Sequence, residues 1–220
     1  PNILTIDYCD LRLAGRSYQE IYFYDAQRKI FEQHGLGRNP WDSAVQFKTN
    51  ILDLDKFGPH SGFEATYWFS AAPETDLTSL ELVVERPELY TVFVNGRKAE
   101  AIPGRFWLDR AWGVFAIGRL ADFGKNRITL RARPFSIHTE LEPIYILGNF
   151  FLETADKGFK LVPSGRLHLG SWSEQGLPFY SGGVSYTKKL RIDSLEPRLE
   201  RYVVRLGRWS GSVAEVKVRD

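Results

Sequence analysis

The chain has 220 residues, 43% of them hydrophobic, 14% aromatic and 25% charged, which excludes an intrinsically disordered polypeptide and provides for a real core. Lys and Arg number 29 against 27 Asp and Glu, and no basic run is long enough to track a phosphate backbone, so no nucleic-acid partner is expected. Apolar runs of a few residues fall short of the roughly 20 that a membrane helix needs, and no membrane partner is expected either.

The chain opens on Pro1 and contains no Met, which reads as a segment of a longer protein, with processing as the alternative. ILTIDYCDLRLAG (3–15) alternates apolar and polar residues up to a glycine, as a strand does. Its Cys9 is the only cysteine, so no internal disulfide can form. DAQRKIFEQHG (25–35) predicts a helix, with Asp25 as N-cap, Ala26, Ile30 and Phe31 as its apolar side and Gly35 as its stop. GLGRNPWDSAVQFKTN (35–50) then reads as an irregular connection.

Strands are predicted over FEATYWFSA (63–71), SLELVVERP (79–87), LYTVFVNG (89–96), WGVFAIG (112–118), NRITLRARP (126–134) and PIYILGNFFLE (143–153). Asn95-Gly96 accepts the positive φ angles of a two-residue hairpin turn, which makes Asn95 structural. Many short strands with one peripheral helix predict an all-β jelly-roll β-sandwich. Residues 1–60 read as lead-in strands and a short helix, and 61–157 as the sandwich domain. Residues 158–220 read as the start of a second sandwich or as strands completing the first.

An internal comparison bears on that choice. FEATYWFSA, SLELVVERP and LYTVFVNG are matched in order by GGVSYTKKLRI (182–192), ERYVVRLGRW (200–209) and SVAEVKVRD (212–220). Tyr67 corresponds to Tyr186, and Val92-Phe93-Val94 to Val216-Lys217-Val218. The first copy continues past its turn, whereas the second stops at Asp220. Half a jelly roll leaves a strand edge unpaired, so the preferred reading is that a downstream half belongs to a longer chain.

With these segments in order, the sequence resembles the galactose-binding-domain-like β-sandwiches of large bacterial glycoside hydrolases, namely family 2 and large α-L-rhamnosidase-like enzymes. The likeness rests on Tyr67-Trp68-Phe69, VFVNGRKAE (92–100), IGRLADFGKNRITLRAR (117–133), EPIYILGNFFLE (142–153) and SWSEQGLPFYSGGVSYTKKL (171–190). The 117–133 piece is similar to a strand, then Leu-x-x-x-Gly-x-Asn, then a closing strand. The resemblance implies a non-catalytic accessory region whose partner is the catalytic barrel of the same parent chain. It admits a structural calcium and implies no other cofactor. It leaves cytoplasmic and exported locations in a bacterium both open.

Chemistry internal to the chain is weakly marked. Glu64, Glu81, Glu85, Glu88, Asp109, Glu140, Glu142 and Glu153 are the candidate carboxylates for a glycosidase pair, but with 27 acidic residues in the chain some pair always lies close, and solvated surface charge is the preferred reading. His34, His60, His138 and His168 are scattered, and no Asp-x-Asp-x-Asp-Gly string announces calcium.

Sugars are held by exposed flat rings beside hydrogen-bonding groups. RFWLDRAWG (105–113) offers Trp107, Asp109, Arg110 and Trp112. Read as a strand followed by a loop, it places Trp107 and Asp109 on one face with Trp112 beyond the alternation. SWSEQGLPFYSGG (171–183) offers Trp172, Gln175 and Tyr180. The bland alternatives are core indoles in the first segment and a pinned linker in the second. Trp41 in NPWD (39–42) is a third option, with loop anchoring as its alternative. Three functions compete: carbohydrate-binding accessory region, sugar-free scaffold, and stand-alone jelly-roll glycosidase or lyase.

Overall fold

The computed structural model describes residues 1–189, 191, 203–207 and 210–217. Alternating residues of the first 163 form thirteen strands among the described residues, arranged in two mainly antiparallel sheets with one short helix. The five-stranded sheet runs β1 (Asn2–Ile6), β11 (Ile144–Gly148), β5 (Glu81–Glu85), β9 (Asp109–Ala116), β8 (Ala101–Trp107). The eight-stranded sheet contains β12 (Phe150–Thr154), β13 (Phe159–Pro163), β4 (Phe63–Ala71), β10 (Gly124–Ala132), β6 (Thr91–Val94) and β7 (Arg97–Ala99) in that order. Within it, β2 (Tyr8–Leu13) pairs with β4 on one side and β3 (Arg16–Tyr22) on the other.

The sandwich follows from period-2 burial. On β4, Phe63, Ala65, Tyr67, Phe69 and Ala71 point inward, and on β10 Ile128, Leu130 and Ala132 do so. Leu82 and Val84 of β5, Phe115 of β9 and Ile144 and Ile146 of β11 meet them from the other sheet in one continuous core. Tyr67 is fully buried, and its hydroxyl satisfies itself by donating to the Glu142 carbonyl at 2.7 Å.

Two of the predicted strands are each broken where the chain changes sheet. Asp7 separates β1 from β2, and Asn149 separates β11 from β12. Both breaks convert one predicted strand into two.

Helix α1 (Phe23–Gln33) begins three residues earlier than an Asp25 N-cap predicts and buries Ala26, Gln27, Ile30 and Phe31 on one side. Its N-cap position is Tyr22, with no side-chain cap. Asp25 instead sits in the first turn, where it favours the helix dipole and pairs with Arg28 at 2.8 Å.

The Asn95-Gly96 turn is as expected, with φ of 52° and 83°. The Leu-x-x-x-Gly-x-Asn stretch explains itself here. Asn126 is fully buried, accepts the Asp122 amide and an Asn95 Nδ2 hydrogen at 2.8 Å each, and donates to the carbonyls of Asp122 and Gly124. Asn95 in turn accepts the Arg127 amide at 3.0 Å, so the two asparagines lock the hairpin to the next strand.

Residues 1–182 form one compact unit, and β13 joins its eight-stranded sheet. Residues 183–220 form a second unit, whose described residues adopt neither helix nor strand. The repeat segments 182–192, 200–209 and 212–220 fall largely in this unit, and their residues 190, 192, 200–202, 208, 209 and 218–220 lie outside the described residues.

Candidate functional site

The RFWLDRAWG segment forms a hairpin rather than a strand and a loop. Leu108 takes a left-handed backbone (φ 62°), the chain reverses there, and Trp107 pairs across the turn with Asp109. The predicted face is therefore corrected: the reversal puts Trp112 beside Trp107, while Asp109 closes the turn by accepting the Ala111 amide at 2.8 Å. Arg110 is exposed on the following residue.

Trp107 and Trp112 are half-buried and meet edge-to-face, with ring centroids 6.4 Å apart and planes at 78°. A third ring completes the cluster. Tyr145 of β11 lies 5.2 Å from Trp107 and 5.1 Å from Trp112. The three rings cover Val83, Val114 and Leu147, which are buried on the outer face of the five-stranded sheet, away from the main core. A sheet face that would ordinarily be polar and wet is here apolar. Sequence reading missed Tyr145 because it lies more than thirty positions away, and only the β5–β9 and β5–β11 registers, which set both Val114 and Tyr145 opposite Val83, bring it near.

Polar groups edge this cluster. Arg105 donates to Glu81 at 2.9 Å, and Glu85 stands opposite Trp112 in the register. At the hairpin tip, Phe106 and Leu108 are exposed by 52% and 82%.

Glu85 also faces Glu140 and Glu142, so three of the predicted carboxylates do converge, in a cleft with Val84, Tyr90, Leu130 and Ile144. Burial, then the charges of Glu85 and Glu140, push the Glu142 carboxyl up to about 7, with the Gln27 hydrogen bond acting the other way. Glu85 is raised by burial and Glu140 and is partly offset by Arg86. The cleft does not admit even a water-sized sphere. A roomier cavity of about 250 Å³ lies under the 35–54 connection, where Val45, Phe47 and Leu54 share the wall with Arg38, Gln46 and Asn50, and no carboxylate lines it.

The second predicted segment is tied into its own loop. Gln175 accepts the His168 amide at 2.7 Å and donates to the carbonyls of His168 and Ser171. Trp172 and Tyr180 contact each other edge-on at 6.2 Å. Trp41 anchors its loop, donating through Nε1 to the Ile137 carbonyl at 2.7 Å. Cys9 is buried, and burial pushes its thiol up to about 12. Among the described residues no group of three or more His, Cys, Asp or Glu is placed to hold a metal ion, calcium included. No helix is long and apolar enough to cross a membrane. No family model, no curated protein and no solved structure matches this chain.

Proposed function

We propose that this chain is a non-catalytic accessory region of a glycoside hydrolase, a jelly-roll sandwich of the galactose-binding type that packs on a catalytic domain and contacts carbohydrate. The observation that carries the reading is the outward aromatic cluster of Trp107, Trp112 and Tyr145, edged by Glu81, Arg105, Glu85 and Asp109. It combines apolar ring surface with fixed hydrogen-bonding groups, the two requirements of a sugar contact. Support for placing the chemistry elsewhere comes from the mismatch described above: the carboxylates converge where there is no space, and the space lies where there are no carboxylates. Isothermal titration of a panel of neutral oligosaccharides tests this. Binding that is lost in Trp107→Ala supports it, and silence across the panel removes the carbohydrate half.

A sugar-free scaffold is the second reading. The edge-to-face packing of the indoles favours it, because rings turned against one another over Val83 and Val114 are covering apolar surface rather than presenting a flat stack. On this reading the exposed Phe106 and Leu108 lead the hairpin into a neighbouring domain. Retained sugar silence together with tighter association of the parent catalytic domain, weakened by Leu108→Asp, would select the scaffold.

A further inference from the structure

The other outer face of the sandwich, on the eight-stranded sheet, is built differently. Lys125, Arg127, Thr129 and Arg131 alternate with buried residues along β10 and so share its outward side. The row spans about 20 Å at roughly 3.4 Å per residue. Across the sheet, Trp68 stands opposite Arg127, Thr66 opposite Thr129, and Glu64 opposite both Arg131 and Arg12.

These side chains are held in place before any ligand arrives. Trp68 is 37% exposed, and its Nε1 donates to Asp10 at 2.8 Å. The Lys125 ammonium sits 4.1 Å from the indole centroid. Thr66 and Thr129 hydroxyls are 2.9 Å apart at the centre of the face. Arg131 is held by Glu64 at 2.8 Å and lies 4.8 Å from the Phe93 ring.

The charge balance on this face is uneven. Glu64 is paired with Arg131, and Asp10 is occupied by Trp68 and by the Glu20 amide. Lys98 is paired with Glu100. Among the described residues, Arg12, Lys125 and Arg127 are exposed and have no carboxylate partner. Three cations without a carboxylate partner therefore share this face with a pair of hydroxyls and a tryptophan.

We infer that this face binds a linear acidic polysaccharide, with Lys125, Arg127 and Arg12 meeting its carboxylate or sulfate groups and Thr66 and Thr129 meeting its hydroxyls. Charge complementarity selects the occupant. Lys125 and Arg127 are about 6.8 Å apart along the strand, a charge density suited to a glycan with well-separated anionic groups. Duplex DNA carries a charge about every 1.7 Å and calls for many more cations than this face supplies. One face of the Trp68 ring is already taken by Lys125, which disfavours stacking of a base.

The surface lies across the sandwich from Trp107, so the two sites can be separated. Titrating the whole 220-residue protein with a polygalacturonate oligosaccharide is expected to give binding that weakens as salt is raised. Lys125→Ala combined with Arg127→Ala should lower that affinity by about tenfold or more. Lys125→Arg with Arg127→Lys should keep it, and Lys48→Ala, which removes an exposed cation outside this row, should leave it unchanged. Circular dichroism checks that each variant is folded. The inference is overturned if polygalacturonate does not bind, or if the double alanine variant binds as well as the parent. Displacement of the bound uronate by similar concentrations of a neutral glucan, or by lower concentrations of DNA, overturns it as well.

Discussion

Gly62 donates its amide hydrogen to Nε2 of His34 at 3.1 Å. The bond assigns the ring: Nε2 accepts, so Nδ1 carries the proton and donates to the Ile30 carbonyl at 2.6 Å. The imidazole stacks on Phe135 with centroids 3.9 Å apart and fastens the end of α1 to the chain entering β4. Burial lowers its pKa, opposed in part by the Ile30 hydrogen bond. The contribution of His34 is therefore complete above its ordinary value of 6.5 and is lost as pH falls through the depressed folded value. Denaturant midpoints should drop as pH is lowered below 6.5, and His34→Gln should flatten that drop. Gly62 cannot be replaced here. Its φ is +113°, and a Cβ would fall 1.9 Å from the Ala132 carbonyl oxygen.

Glu142 has the opposite sign. Its folded value of about 7 exceeds the ordinary 4.5, so the folded protein holds that proton more tightly than the unfolded chain. Stability from this group is complete below about pH 4.5 and declines as pH rises through 7. Glu142→Gln keeps the packing, removes the charge beside Glu85 and Glu140, and should raise the midpoint at about pH 8. Urea titrations of parent and variant at three pH values check this, and an unchanged difference across them would refute it.

The outer aromatic cluster carries stability whether or not sugar binds. Tyr145→Ala or Trp112→Ala should uncover Val83 and Val114 and cost about 1–3 kcal/mol. Exposure of the patch should appear as increased binding of an apolar dye. A cost near zero would mean that the rings are mobile on the surface.

Asn126 is the most exacting position in the turn region. Asn126→Ala leaves the Asp122 amide and an Asn95 donor without their acceptor, and should cost about 2–4 kcal/mol. Asn126→Asp restores the acceptor but loses both donations to Asp122 and Gly124, and should recover only part of the loss. Thermal denaturation of the two variants tests the order.

Where the chain repeats one physical instruction every second residue, it is legible. FEATYWFSA matches β4 residue for residue, because each inward side chain is apolar and each outward one is polar or amphipathic. Asn95-Gly96 is legible for the same reason: its constraint is local. The strands that were not read are those whose reason is remote. β3 (RSYQEIY) shows no alternation and exists as an outer neighbour to β2. β8 contains Pro103 and Gly104, which an edge strand tolerates. The same division applies to function: the nearness of Trp107 and Trp112 was visible, but Tyr145 depended on register, and Trp68 was read as a fold signature until its neighbours on β2 and β10 were in place.

The pairing of β1 sets a timetable for biosynthesis. Residues 2–6 hydrogen-bond to residues 144–148, and Nδ2 of the Asn2 side chain donates to the carbonyls of Phe150 and Gly176. At a ribosome adding about 5–20 residues each second, the first strand waits roughly 7–28 s for its partner to be made. For that interval Leu4 and the edge of β1 lack their native cover, which only residues 144–148 supply.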